Sequence, residues 1–264
     1  MKTGTVLSAA AIALSSGMAM AGFDARFNFA ASELRSSAIK IVWASAGSYT
    51  DADTGDTVNY SAGDLIGNYT AGALAYDYVN GTDGSDDGGE GQFASGQFST
   101  FCIELQNIRS GANTFVVDDI SNGPNPEPDG SPTNDPYTSG PAYDAADQAE
   151  VEAVIAAAVS IGWINEDLSK DGATTDQLAA IQGLIWRRLF DDTVVTGNLT
   201  DVSDAMADLE AAIALDPNAT MPNLRAMLNA DTQDQLYIIP LPTAVFAGLL
   251  TLGGMGGYSR MRRR

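Results

Sequence analysis

Histidine is absent from the 264 residues. Ser-His-Asp and Cys-His nucleophilic catalysis are therefore excluded, as is any metal centre held by imidazole. No Gly-x-Ser-x-Gly elbow is present either, which argues against a secreted hydrolase. Cysteine occurs once, at Cys102, so no internal disulfide can form. Cations are scarce as well. Setting aside Lys2 and the four arginines of the last five residues leaves eight of the 13 cations against all 34 acids, a net charge near −26. Nucleic acid and anionic lipid surfaces are poor partners for such a chain.

What the sequence does contain begins with its two ends. "MKTGTVLSAAAIALSSGMAMAG" holds one cation at Lys2, an apolar run from Val6 to Leu14 and the small-residue site Ala19-Met20-Ala21. This reads as a secretory signal helix over 1–21. At the other end, Ile238 to Tyr258 supplies about twenty uncharged residues before Arg260, Arg262, Arg263 and Arg264. That is long enough to cross a hydrocarbon core of ~30 Å, with the arginines left in the cytoplasm. The expected location is therefore exported, and membrane-anchored or at the cell surface. An unpaired thiol in such a protein calls for an explanation.

The tail resembles the PEP-CTERM sorting signals of exported bacterial proteins, which join a Pro-x-Pro motif, a hydrophobic helix and a terminal arginine cluster. Pro240-Leu241-Pro242 is a variant with leucine in place of glutamate, and Arg262, Arg263 and Arg264 close the signal over 238–264. The resemblance implies an exosortase-type processing protease as a partner, and delivery to the surface or an extracellular polymer.

Between the ends, 22–237 reads as one domain with one core. "FDARFNFA" (Phe23 to Ala30) alternates with period two, and "AIKIVWASA" (Ala38 to Ala46) is a β-branched and aromatic run; both predict strands. Further strands are expected at Thr57 to Tyr60, Leu74 to Val79, Gln92 to Leu105 and Thr114 to Val117. Residues 121–141 hold six of the ten prolines and no apolar period, so they predict a surface loop. The period then changes. Helices are expected from about Asp144 to Ile161, over "TTDQLAAIQGLIWRRLFDD" with capping-box spacing from Thr174 to Gln177, and over "VSDAMADLEAAIALDP", stopped by Pro217. A last strand, "QDQLYII", leads into the tail. The expected class is α+β: an antiparallel sandwich or barrel in the first half, a helical subdomain in the second, and a signal helix and a transmembrane helix at the ends.

Two residues carry the candidate chemistry. Leu178, Ile185, Trp186 and Leu189 lie four before, and three, four and seven after, Gln182, which places a carboxamide on an apolar helix face. An unpartnered amide there costs about 1–3 kcal/mol, so it is either hydrogen-bonded or chemically consumed. If "STFCIELQ" is a strand, Cys102 shares a face with Thr100 and Glu104, opposite Phe101, Ile103 and Leu105. An aromatic-Cys pair followed by Gln-x-Ala-Ile-Trp on a helix is the signature of bacterial surface thioester domains. Phe101-Cys102 and Gln182-Gly183-Leu184-Ile185-Trp186 resemble its two halves, with Ile181 and Leu184 departing from the usual threonine and alanine. The resemblance implies Cys102 as the thioester sulfur, Gln182 as the acyl donor, and Phe101, Ile185 and Trp186 as packing residues of the motif. It further implies one acylation of an amine on a surface or matrix ligand, not turnover, so no enzyme is expected. The alternative is a non-reactive structural or carbohydrate-associated module in which Cys102 is an inert thiol.

No cofactor is expected, with calcium the one ion considered. Asp83, Ser85 and Asp87 fall at positions one, three and five of an EF-hand-like loop, with Gly88 at six, but position twelve is Ala94 and the better reading is a solvated acidic turn. A glycosidase pair built on Glu104 and a loop aspartate finds no cue to a sugar cleft in the sequence.

Overall fold

A computed structural model describes residues 23–50, 55–79, 97–105, 111–123, 143–190, 193–230 and 232–239. The signal segment, the sorting tail with Pro240, Pro242 and Arg262 to Arg264, the calcium candidates Asp83, Ser85 and Asp87, and most of the proline-rich loop lie outside these residues. Among the described residues no helix is long and apolar enough to cross a membrane.

The architecture is α+β, with nine strands and three helices among the described residues. The strands are β1 (Phe23–Trp43), β2 (Gly47–Thr50), β3 (Thr57–Tyr60), β4 (Leu65–Val79), β5 (Gln97–Thr100), β6 (Ala112–Asp118), β7 (Thr193–Gly197), β8 (Leu224–Leu228) and β9 (Gln235–Ile238). The helices are α1 (Ala145–Ser160), α2 (Thr175–Leu189) and α3 (Thr200–Leu215), and a single 3-10 turn covers Ile120–Asn122. Seven strands form one antiparallel sheet in the order β5-β4-β1-β6-β8-β9, with β7 on the far half of β1, while β2 and β3 make a separate hairpin.

The two edges of this sheet meet. Just past β5, Ile103 N–H donates to Asp234 C=O at 3.0 Å and Leu236 N–H donates to Phe101 C=O at 2.8 Å, making a bridge between Cys102 and Gln235. The sheet is thus a nearly closed barrel, which removes most of its exposed edge. Its interior is aromatic. Phe27 of β1 lies 5.2 Å from Phe98 of β5 and 5.6 Å from Tyr237 of β9, ring centre to ring centre, and Tyr76 of β4 stands edge-on to Phe115 of β6 at 6.1 Å. Five strands contribute to one cluster because period-two alternation sends every second side chain inward.

The three helices and the last strand, β9, fall in the second half as expected, but the expectation that the sheet belongs to the first half is corrected. Strands β7, β8 and β9 come from the second half and complete the sheet, and β8 supplies the link between β6 and β9. The two strands expected at Phe23 to Ala30 and Ala38 to Ala46 are one strand of 21 residues. The polar stretch between them stays paired to β4, and the irregularity is absorbed by a register shift between Arg35 and Ile39, where Ser37 has φ +50°.

Helix α2 lies at the centre of the helical layer, against β1, β4, β7, α1 and α3. Its start is fixed by a capping box: Gln177 N–H donates to Thr174 Oγ1, and Thr174 N–H donates to Gln177 Oε1. Ten of its 15 residues are buried. Gly183 lets it approach β1, since a Cβ there would collide with the tip of Ile39 and pack against Met206. This close approach is what brings the preceding residue, Gln182, down onto the barrel seam.

Candidate functional site

The site lies where the barrel closes. In the bridge between Cys102 and Gln235 the ladder bonds are carried by Phe101, Ile103, Asp234 and Leu236. The N–H and C=O of Cys102 consequently point away from β9, as they must at a non-hydrogen-bonded antiparallel pair. No strand takes them up. Instead Cys102 N–H donates to Gln182 Oε1 and Gln182 Nε2 donates to Cys102 C=O, both at 2.7 Å. One side-chain amide thus satisfies both backbone groups of a buried residue, which accounts for a carboxamide on the apolar face of α2.

The thiol has different partners. Cys102 Sγ–H donates to Gln233 Oε1 at 2.8 Å, and Gln235 Nε2 donates to the sulfur at 3.5 Å and to Gln233 Oε1 at 3.2 Å. A C=O bond is about 1.23 Å long, so the side-chain carbonyl carbon of Gln233 lies within about 4 Å of the sulfur. Gln233 is held from the other side, its Nε2 donating to Glu104 C=O at 2.7 Å. The segment carrying it is tied down as well. Asp234 N–H donates to Glu104 Oε1 at 2.7 Å, Asn229 N–H donates to Asp234 Oδ1 at 2.6 Å, and the Thr100 hydroxyl donates to Leu236 C=O. Tyr143 O–H donates to Ile103 C=O and fixes the Cys102 side of the seam.

The whole arrangement is dry. Gln235 is fully buried, Gln182 is 1% exposed, and Gln233 and Cys102 are 6% and 7% exposed, so what access exists is at the last two. Burial pushes the Cys102 thiol up from 9.0 to about 12; the Gln235 hydrogen bond opposes the rise and the charge of Glu104 adds to it. The resting sulfur is a neutral thiol, not a thiolate. Burial, with Cys102 second, likewise raises the Tyr76 phenol, whose hydroxyl has no hydrogen-bond partner.

Of the residues singled out from the sequence, Cys102 and Gln182 are therefore neighbours, but they meet through the backbone of the cysteine, and the sulfur itself faces Gln233. Phe101 is fully buried beside them, and Ile185 and Trp186 lie one turn along α2 from Gln182, both buried, with Trp186 edge-on to Tyr69 at 5.8 Å. Cys102 does not separate from an apolar face as a half-buried strand residue would, because Thr100 to Leu105 are buried on both sides. Gln233 and Gln235 are not among the residues expected from the sequence. Their signal is the alternation Gln-Asp-Gln ahead of an apolar strand, which projects two amides to one side of the chain. Among the described residues no group of three or more acidic or cysteine side chains could hold a metal ion.

No protein-family model, no curated protein and no solved structure matches this chain.

Proposed function

We propose that this is an exported, membrane-tethered surface protein that attaches covalently to an amine-bearing surface or matrix partner through an internal thioester formed by Cys102. The observation that carries this reading is the contact of Cys102 Sγ with the Gln233 carboxamide at 2.8 Å inside a water-excluded seam. The acyl donor is then Gln233, while Gln182 holds the backbone of Cys102 in place. The step balances simply. The thiol adds to the side-chain carbonyl of Gln233, the S–C bond forms, the C–N bond breaks, and the amide nitrogen leaves as ammonia carrying the thiol proton. A partner amine later takes the acyl group, returning the thiol and leaving an amide bond. Each chain reacts once, so this is attachment and not enzymatic turnover.

Several features support the reading. A thioester persists only where water is kept out, and the four residues of the seam are 7% exposed or less. The domain has just two lysines, Lys40 and Lys170, and Lys170 is engaged with Glu33 at 2.6 Å, so the chain offers few amines of its own to its acyl group. The tail, similar to PEP-CTERM signals, would deliver the domain by way of an exosortase-type protease to the surface where such attachment is useful. The rival, a non-reactive structural or carbohydrate-associated module, draws on one observation: the thiol is neutral and hydrogen-bonded on both sides, as an inert core cysteine would be.

Intact mass of the purified ectodomain decides between them. A thioester gives a mass lower by one ammonia, no thiol labelling after unfolding, and a methylamine adduct that peptide mapping locates. An adduct at Gln233 supports the assignment of the acyl donor, and one at Gln182 reverses it. Full mass with a thiol that labels once unfolded sinks the thioester and leaves the structural module.

A further inference from the structure

Closing the barrel places two glutamines against the one sulfur, and the second is not needed as an acyl donor. Gln235 is fully buried on β9, directly across the bridge from Cys102. Its Nε2 is 3.2 Å from Gln233 Oε1 and 3.5 Å from Cys102 Sγ, and it also reaches Gln233 C=O at 3.2 Å. The oxygen of the same carboxamide, Gln235 Oε1, is buried and has no hydrogen-bond partner among the described residues. A buried acceptor left without a donor costs about 1–3 kcal/mol, so it calls for an explanation.

We infer that Gln235 is a catalytic residue of both acyl-transfer steps, its N–H stabilising the negative charge that develops on Gln233 Oε1 and its unpartnered oxygen receiving an N–H of the amine that enters, while the nitrogen that leaves is already held by Glu104 C=O. This rests on the thioester reading and deepens it. When the sulfur adds to the carbonyl carbon of Gln233, electrons move onto Oε1, where an N–H already stands. A fixed donor in a dry site is worth far more there than in water. The same geometry serves the reverse polarity of the second step. An incoming amine that attacks the thioester carbonyl again builds charge on that oxygen, and the amine must shed a proton as its C–N bond forms and the C–S bond breaks. Gln235 Oε1 accepts a hydrogen bond from that amine, and the departing sulfur takes up the proton. With a nucleophile that is a neutral thiol, activation of the carbonyl side is where help is most needed.

The test uses the full ectodomain and methylamine. Gln235→Met keeps the volume and removes both polar atoms; Gln235→Glu keeps the shape and an acceptor and replaces the amide donor with a carboxyl group. In wild type, ammonia loss and methylamine incorporation are followed by mass. Folded Gln235→Met, verified by circular dichroism, is expected to carry out both at a rate lower by about 10²–10³-fold, the usual effect of removing one such donor. Gln235→Glu is expected to be slowed as well, and either variant decides if the other does not fold. Wild-type rates in a folded variant overturn the inference and leave the thioester standing. No ammonia loss in wild type overturns the thioester itself, and the inference with it. Should neither variant fold, a crystal structure of the wild-type thioester decides: Gln235 Nε2 within 3.5 Å of the thioester carbonyl oxygen, the separation at which it now meets the sulfur, supports the role, and a greater separation removes it.

Discussion

Gln182 reads the backbone of Cys102 as a neighbouring strand would, accepting from its N–H and donating to its C=O at 2.7 Å each. A helix side chain thereby completes the pairing that the sheet leaves open at the point where its two edges join. Cys102 is held by its main chain, and its side chain remains available to face β9.

That relationship has a measurable cost when broken. In Gln182→Leu the N–H and C=O of Cys102 stay buried without partners, at about 1–3 kcal/mol for each group. Unfolding free energy from urea titration should fall by at least about 2 kcal/mol, with the denaturant slope unchanged. A loss well under 1 kcal/mol would show that these two bonds contribute little. On the proposal that Gln233 is the acyl donor and Gln182 only positions the cysteine, folded Gln182→Leu should still take up methylamine at Gln233.

The thiol gives a pH dependence of definite sign. In the folded protein its pKa rises from 9.0 to about 12, while the unfolded chain keeps the ordinary value. Between those two values the unfolded state binds fewer protons, so stability is fully present below about pH 9 and is lost as pH rises toward about 12. Urea midpoints of the free-thiol protein, taken from about pH 8 to about pH 10.5, should fall with pH more steeply than those of Cys102→Ala. The Tyr76 phenol is raised in the same direction by burial in both proteins, and the part of its rise that comes from Cys102 is lost with the thiol, so it belongs to the difference being measured. Equal slopes would mean that the thiol is far less desolvated than its surroundings imply. The thioester form has no titrating thiol and should lack the difference.

The helices were legible in the sequence to within about three residues at their ends. The Thr174 to Gln177 capping box is a local property that spacing alone reveals, whereas the reciprocal Asp144 and Asp147 box at the start of α1 was not read from the sequence. Strand existence was legible for Thr57–Tyr60, for the cores of β1, β4 and β6, and for β9. What could not be read was pairing. The polar residues 31 to 37 look like a break until β4 is placed beside them, and β7 and β8 are five-residue segments whose strand character depends on β1 and β6. The site followed the same rule. Gln182 stood out because a lone amide on an apolar helix face is a local anomaly. Gln233 and Gln235 did not, because an amide in an Asp-rich segment is unremarkable until barrel closure sets it against a sulfur 131 residues away in sequence.

Backbone crowding predicts a contrast between two glycines. A Cβ on Gly197 at the end of β7 would stand 2.5 Å from Ser203 N and 2.6 Å from Ser203 Cα, which belong to the backbone of α3 and cannot rotate aside. Gly63 has φ +86° but nothing within 4 Å of where its Cβ would be. Gly63→Ala should therefore cost about 1 kcal/mol, through the left-handed backbone alone. Gly197→Ala must separate α3 from β7 and should cost about 1–3 kcal/mol or more. Thermal unfolding of both variants checks the order, and a Gly197→Ala protein as stable as Gly63→Ala would contradict the close packing of α3 on β7.

Trp186 allows packing and hydrogen bonding to be separated. Its ring is buried edge-on to Tyr69, one turn from Gln182, yet its indole N–H has no hydrogen-bond partner among the described residues. Truncation to alanine removes the ring and leaves a cavity, a loss of about 3–5 kcal/mol. Phenylalanine keeps most of the apolar surface and deletes an N–H whose burial is itself unfavourable, so the two changes oppose each other. Trp186→Phe should stay within about 1–2 kcal/mol of wild type in urea unfolding. A cost close to that of alanine would mean that the N–H is satisfied by a bound water. The two variants should also differ at the seam. Loosening α2 in Trp186→Ala admits water toward Gln182 and Cys102, so native-state thiol labelling, after methylamine has released the thiol, should be faster than in wild type. In Trp186→Phe the wall stays in place and labelling should remain slow. Equal protection in both variants would mean that the strand side of the seam, held by Tyr143, Thr100 and Glu104, keeps water out without help from the helix.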